Sequence, residues 1–206
     1  MDQQDQTELE LQQLVQLLGS RDWRAVSATW EALVATGERG LNAVVAGLAH
    51  PDARIRRGCA DFLDHYGTDA CVPALRDAAL HDPVAGVRRA AVHALLCQRC
   101  KPCALTSDLM DLLVQVALED SSARVRGEAI WGLGAQPRDP RATAALKNIL
   151  HQESHPDLLR GAHDALMRQD PAYRGAIRLH ARLRGIVRAH AGGHTSGAAS
   201  TSAAPQ

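Results

Sequence analysis

Three stretches of the chain, PDARIRRGCADFL (residues 51–63), PVAGVRRAAVHAL (83–95) and SSARVRGEAIWGL (121–133), superimpose without a gap. Each places an aliphatic residue and then an arginine at its fifth and sixth positions: Ile55 and Arg56, Val87 and Arg88, Val125 and Arg126. Each has a small residue at the ninth position (Cys59, Ala91, Ala129) and leucine at the last (Leu63, Leu95, Leu133). The apolar set thus falls at i, i+4 and i+8, with Phe62, Ala94 and Gly132 at i+7, which is one stripe of an α-helix. The copies begin 32 and then 38 residues apart, the length of a helix, a turn and a second helix.

The second helices are legible between the copies. Residues 68–80 open on Thr68, a good cap, and carry Val72, Leu75 and Ala79 on one face, with Pro73 tolerated near the start. Residues 106–118 repeat the scheme with Leu109, Leu112, Leu113 and Val116, and 139–150 with Ala145, Leu146 and Ile149 behind Pro140. Before this array, 23–35 and 39–49 read as a degenerate first pair, preceded by an amphipathic helix over about residues 5–18. After it, HPDLLRGAHDAL (155–166) is a weakened copy with Leu159 in place of the arginine, and 171–190 is its long partner. Terminal repeats are expected to be atypical, because one face meets water.

Composition agrees with helix alone. The 206 residues hold one Phe, two Tyr and three Trp, too few aromatics for a sandwich or barrel, while Ala, Leu and Arg dominate. Lys+Arg and Asp+Glu stand at 23 each, so a wholesale nucleic-acid binder is not expected. No apolar run approaches the roughly 20 residues of a membrane span, and MDQQDQTELE is acidic where a secretory signal is basic and then apolar. Five cysteines, three of them between 97 and 103, fit a reducing compartment. The expectation is a cytoplasmic monomer.

These residues resemble HEAT-like repeats, most closely the short variety also found in phycobilisome (bilin) lyases. The family pattern is matched by Asp82, Pro83, Val87, Arg88, Ala91 and Leu95, by Asp120, Val125, Arg126, Ala129 and Leu133, and nearly as well by Pro51, Asp52, Ile55, Arg56, Cys59 and Leu63. The resemblance covers about residues 21–188, most strongly 50–152. It implies an all-α, right-handed α-solenoid of about five HEAT-like helix pairs near 21–49, 51–80, 83–119, 121–151 and 155–190. A capping helix over 1–20 precedes them, and a disordered low-complexity tail over 191–206 follows. It also implies a concave wall lined by the second helices, which makes Asp69, Arg76, Asp108, Asp111, Gln115, Arg141, Lys147 and Asn148 candidate partner contacts. The recurrent Arg56, Arg88 and Arg126 read as structural, bonding carbonyls or carboxylates of the neighbouring repeat.

The six extra residues of the third helix pair fall where its two helices join, in HALLCQRCKPC (93–103). His93 and Cys97 share a helix face at i and i+4, and Cys100 and Cys103 follow across a proline turn, so His93, Cys97, Cys100 and Cys103 make a possible Cys3His zinc set. The same cysteines read otherwise as a thiol-redox element or as plain thiols with no special role, and absence of any cofactor is the default expectation. Cys59 and Cys71 read as packing. A glycine-rich phosphate loop, a Gly-x-Ser-x-Gly elbow and the His-Glu pairs of the iron-binding deoxyhypusine hydroxylase relatives do not occur in the sequence. Trp23 and Trp30, seven apart, read as packing of the first pair, not as the base-recognising aromatics of HEAT-like DNA glycosylases. Arg174, Arg178, Arg182, Arg184 and Arg188 ride on a helix whose Leu179, Leu183 and Ile186 form its apolar side, read as a closing cap.

The sequence therefore leads to a non-enzymatic scaffold that binds another protein. A bilin-lyase-like chromophore-handling protein and a zinc or thiol-redox sensor are the alternatives.

Overall fold

The computed structural model describes residues 3–97, 100–101 and 105–192, with 3–5 and 185–192 as backbone only. Cys103 and the tail from 193 onward lie outside the described residues, while the first two residues assigned to that tail belong to the last helix. Among the described residues there are eleven α-helices and no strand. A leading helix α1 (Gln3–Leu17) is followed by five pairs. They are α2 (Trp23–Ala35) with α3 (Glu38–Gly47), α4 (Ala53–Tyr66) with α5 (Val72–His81), α6 (Ala85–Leu96) with α7 (Met110–Glu119), α8 (Ala123–Ala135) with α9 (Pro140–Gln152), and α10 (Pro156–Gln169) with α11 (Pro171–Gly192). The first helices α4, α6, α8 and α10 stack side by side, and each second helix also lies against the first helix of the following pair. A stack of this kind is an α-solenoid, in which every pair supplies half of its neighbour's core.

The repeat register is the burial register. Ile55, Val87 and Val125, then Cys59, Ala91 and Ala129, then Leu63, Leu95 and Leu133 are all buried, and all but Val87 belong to one continuous core. The small ninth residue lets adjacent first helices approach, and the leucine fills the groove one turn on. Helix starts follow local chemistry: Asp52 Oδ1 accepts from Arg54 N at 2.8 Å and Asp139 Oδ1 from Arg141 N at 2.7 Å, which satisfies donors that the first turn leaves orphaned.

The three repeated arginines tie the stack together. Arg56 is bidentate to Asp82 (2.6 and 3.0 Å), Arg88 to Asp120 (2.7 and 2.9 Å), and Arg126 meets Glu153 Oε2 through both Nε and Nη2 (3.2 and 2.8 Å). The remaining nitrogen of each returns to its own repeat's leading loop, onto His50 O and Pro51 O, Asp82 O, and Asp120 O. Asp82 and Asp120 in turn accept the N–H of Val84 and of Ser122. One guanidinium therefore closes two loops at once.

Four expectations are corrected. The second helix expected from Thr68 begins at Val72, after a 3-10 turn over Asp69–Cys71. Pro73 accepts only a first-turn place, and the preceding residues are held by contacts of Asp69 with the next repeat. The helix expected from Thr106 begins at Met110, because the N–H groups of Thr106 and Ser107 point at Asp69 and Asp108 Oδ1 instead caps Met110 N at 2.9 Å. Trp23 is 72% exposed, with the Arg24 guanidinium 5.6 Å from its ring. Trp30 alone of the pair packs inward, edge-on to Phe62 and Tyr66. The long last helix also departs from a closing cap. Its 22 residues run about 33 Å, past the end of the 14-residue α10, and Leu179 and Leu183 remain 57% and 51% exposed.

Candidate functional site

Two places on the solenoid concentrate polar chemistry. The first is the wall formed by α3, α5, α7 and α9. Asp69 accepts from the backbone and hydroxyl groups of both Thr106 and Ser107 at 2.8 to 3.1 Å. Those bonds, led by the Thr106 hydroxyl, hold its carboxyl below the usual range. Arg76 donates to Asp108 O at 3.1 Å. The Arg141 guanidinium gathers Asp139, Asp108 and Asp111 at 2.8 to 3.0 Å, which raises its own affinity for the proton. Lys147 pairs with Asp170 at 2.8 Å. Six of the eight candidate contacts thus bridge one second helix to the next or to a neighbouring loop, while Gln115 and Asn148 line clefts. Individually these exposed pairs contribute little to stability, but they fix the spacing of the helices that carry them.

Between those helices run open clefts. The α3–α5 cleft, about 450 Å³, is lined by Val45, Leu48, Ala74, Ala78 and the guanidinium-bearing Arg56. The α5–α7 and α7–α9 clefts, about 170 and 200 Å³, are bordered by Leu80 and Gln115 and by Leu118 and Asn148. The wall is a row of open clefts, of which the α3–α5 one is mainly apolar and the other two are mainly polar.

The second place is the far end of α4 and α6, where the longer third repeat turns. Cys97 caps α6, its N–H on His93 O at 2.9 Å, and its Sγ lies 2.7 Å from Cys100 Sγ. His93 Nδ1 is 2.8 Å from Glu128 Oε1 of α8, and its Nε2 faces Asp64 Oδ2 of α4 at 3.7 Å. Trp131 stacks on the imidazole, 6.4 Å between centroids. The donor atoms of Asp64, His93, Cys97 and Cys100 all lie within 4.8 Å of one another. Buried Lys101 donates to the carbonyls of Asp64 and Cys97 at 2.9 and 3.3 Å and to that of Ala94, closing the ends of both helices. The Glu128 hydrogen bond pushes His93 up to about 9, and the contact with Cys97 pushes the Cys100 thiol up to about 12. Burial pulls Lys101 down. Cys59 and Cys71 are buried in the apolar core, away from this cluster.

The structure therefore brings together His93, Cys97 and Cys100 of the sequence set, while Cys103 falls outside the described residues. It adds Asp64 and Glu128, which spacing along one helix cannot reveal. A signal for Asp64 did exist: its register position holds Leu96 and Gly134 in the next two copies, and an acid at a position that is buried there calls for a partner.

Helix pairs stacked in one register, with an arginine and an acid locking the second, third and fourth pairs each to the next, define a protein built of HEAT repeats. The model of HEAT repeats matches residues 11–96 and 106–178; the chain belongs to this family, and the match breaks at the cysteine-bearing turn. No curated protein matches the sequence. Among solved structures, the chain is similar to the complex of CpcE and CpcF of phycocyanin lyase from Nostoc sp. PCC7120, with a TM-score of 0.60 and 20% identity over 75% of this chain and 96% of that one. It is also similar to an engineered protein at TM-score 0.45 and 20% identity, over 78% and 79% of the two chains. At that identity the lyase shares the fold.

Proposed function

We propose that this chain is a non-enzymatic HEAT-repeat scaffold that binds another protein along the wall of its second helices, which is the concave face in this family. The carrying observation is the row of open furrows between α3, α5, α7 and α9, framed by ridges that are themselves braced. Repeated shallow grooves at a fixed spacing suit an extended or helical polypeptide, whose side chains recur at a comparable spacing. The fold-mate CpcE is itself found in complex with a second chain, CpcF, which supports a protein as the occupant. No helix among the described residues is long and apolar enough to cross a membrane.

The test is a photo-crosslinking amino acid placed at Gln115, at Asn148 or, as a control on the opposite side, at exposed Arg57. Capture of the same discrete protein from cells of the source organism by the first two and not by the third is expected. Equal capture from all three, or from Arg57 alone, overturns the assignment of the face. The likeness to phycocyanin lyase supports a second reading, a chromophore-handling protein. It requires the purified chain to bind a linear tetrapyrrole and shift its visible absorption; an unchanged spectrum at saturating pigment removes it.

A further inference from the structure

The cluster at the ends of α4 and α6 plays no part in the second-helix wall. We propose that Asp64, His93, Cys97 and Cys100 form a tetrahedral zinc site that clasps the second repeat to the third. Four donor atoms from two repeats lie within 4.8 Å of one another, inside the spread that a single small cation can span.

Three features point to a ligand and not to mutual packing. The Asp64 side chain is 9% exposed, and its Oδ1 accepts no hydrogen bond of ordinary geometry among the described residues, being held only by the Lys101 ion pair at 3.7 Å and the nearby Cys100 thiol. A buried carboxylate oxygen left without a bond is costly, and a cation between it and the sulfurs supplies the missing contact. His93 is oriented for the same centre: Nδ1 is engaged by Glu128 at 2.8 Å, which leaves Nε2 turned toward Asp64. A carboxylate behind the histidine is the usual outer support of a zinc ligand. Charge within the ligand set is offset locally. Two thiolates and one carboxylate around a divalent cation leave one negative charge, and buried Lys101 brings one positive charge to the same spot, while Glu128 carries a further negative charge behind His93.

Two sulfurs, one imidazole nitrogen and one carboxylate oxygen are borderline donors, which favours zinc over calcium or magnesium. On binding, the two thiol protons leave to solvent. The sulfurs, now 2.7 Å apart, open to about 3.8 Å, the separation of tetrahedral ligands at about 2.3 Å from zinc. A Cys97–Cys100 disulfide accounts for the sulfurs alone. It leaves Asp64 Oδ1 without a close hydrogen bond and His93 Nε2 3.7 Å from Asp64 Oδ2, beyond hydrogen-bond reach.

The measurement is zinc content of the full chain, purified without chelator, together with X-ray absorption at the zinc edge. About one zinc per chain in a shell of two sulfurs and two light atoms is expected. Asp64→Asn should weaken zinc at least about tenfold in competition with a chromophoric chelator, while Cys103→Ser leaves affinity within about twofold. A shell of three sulfurs, or zinc lost in Cys103→Ser but kept in Asp64→Asn, overturns the assignment of Asp64. A metal-free chain carrying a Cys97–Cys100 disulfide by mass spectrometry overturns the site altogether. The absorption shell of the unmodified protein decides even if Asp64→Asn fails to fold.

Discussion

Arg88 and Asp120 show how one side chain joins two repeats. Both side chains are almost wholly buried, the bond is bidentate, and the carboxylate also accepts from Ser122 N. Burial is the largest single influence and would raise Asp120, but the Arg88 guanidinium, the Ser122 N–H and Arg126 together outweigh it, so the carboxyl stays below its ordinary range. Arg88→Met therefore leaves a buried charge unpaired and should cost about 3–5 kcal/mol, read from the shift of the urea midpoint. The double variant with Asp120→Leu should recover most of that loss, since a pair replaced whole by apolar groups is near neutral; no recovery would mean the arginine acts mainly through its carbonyl bond. Glu153 offers a pH test of the same device. Backbone N–H bonds, His155 first, and Arg126 hold it down at about 2, against 4.5 in the open chain. A depressed carboxyl stabilises fully above the unfolded value and stops doing so as pH falls through the folded one. The stability gap between the natural protein and Glu153→Gln should be constant at neutral pH, shrink below about pH 4.5 and vanish near pH 2. These roles are legible in the sequence because the arginine recurs in register. The partner of Asp64 is not, because His93 lies 29 residues on and only the stacking of α4 on α6 brings the two together.

At the scale of elements, apolar periodicity located the helices, while two of their starts were decided by contacts between repeats. Thr68 and Thr106 are good caps locally, yet Asp69 binds the Thr106 and Ser107 donors and both helices begin later. Local propensity yields where a neighbouring repeat offers a charged acceptor. The docking of α1 rests on a different detail: a Cβ on Gly58 would run into the Leu18 carbonyl. Gly58→Ala should favour α4 itself by up to about 1 kcal/mol and still destabilise the protein by about 1–3 kcal/mol. The signature is faster amide exchange confined to α1. For α11 the expectation reverses. Leu179 and Leu183 are already more than half exposed, so changing both to Gln should alter stability by less than about 0.5 kcal/mol; a larger loss in thermal unfolding would show that this face is covered in solution.

A solenoid has no centre, only neighbours, and that makes its stability uneven along the chain. α6 is sandwiched by α4 and α8, whereas α1 and α11 each have a partner on one side only. In such an array stability is a sum of repeat and interface contributions, so opening starts at the ends. This much follows from the repeat pattern alone, which is why the whole fold was more legible than its sites: thirteen-residue copies specify a stack, but the turn inserted between Leu96 and Met110 belongs to one copy only. Hydrogen exchange should therefore show opening free energies that climb from α1 and from α11 toward α6 and α8. Val87 is buried on α6, the middle first helix of the array, so Val87→Asp places an unpaired charge inside the middle of the stack. It should lower protection in α4 and in α8 together, cutting the array in the middle, while α1 against α2 changes least. Uniform exchange along the natural chain, collapsing everywhere at once in Val87→Asp, would instead describe a single cooperative block and contradict nearest-neighbour stacking.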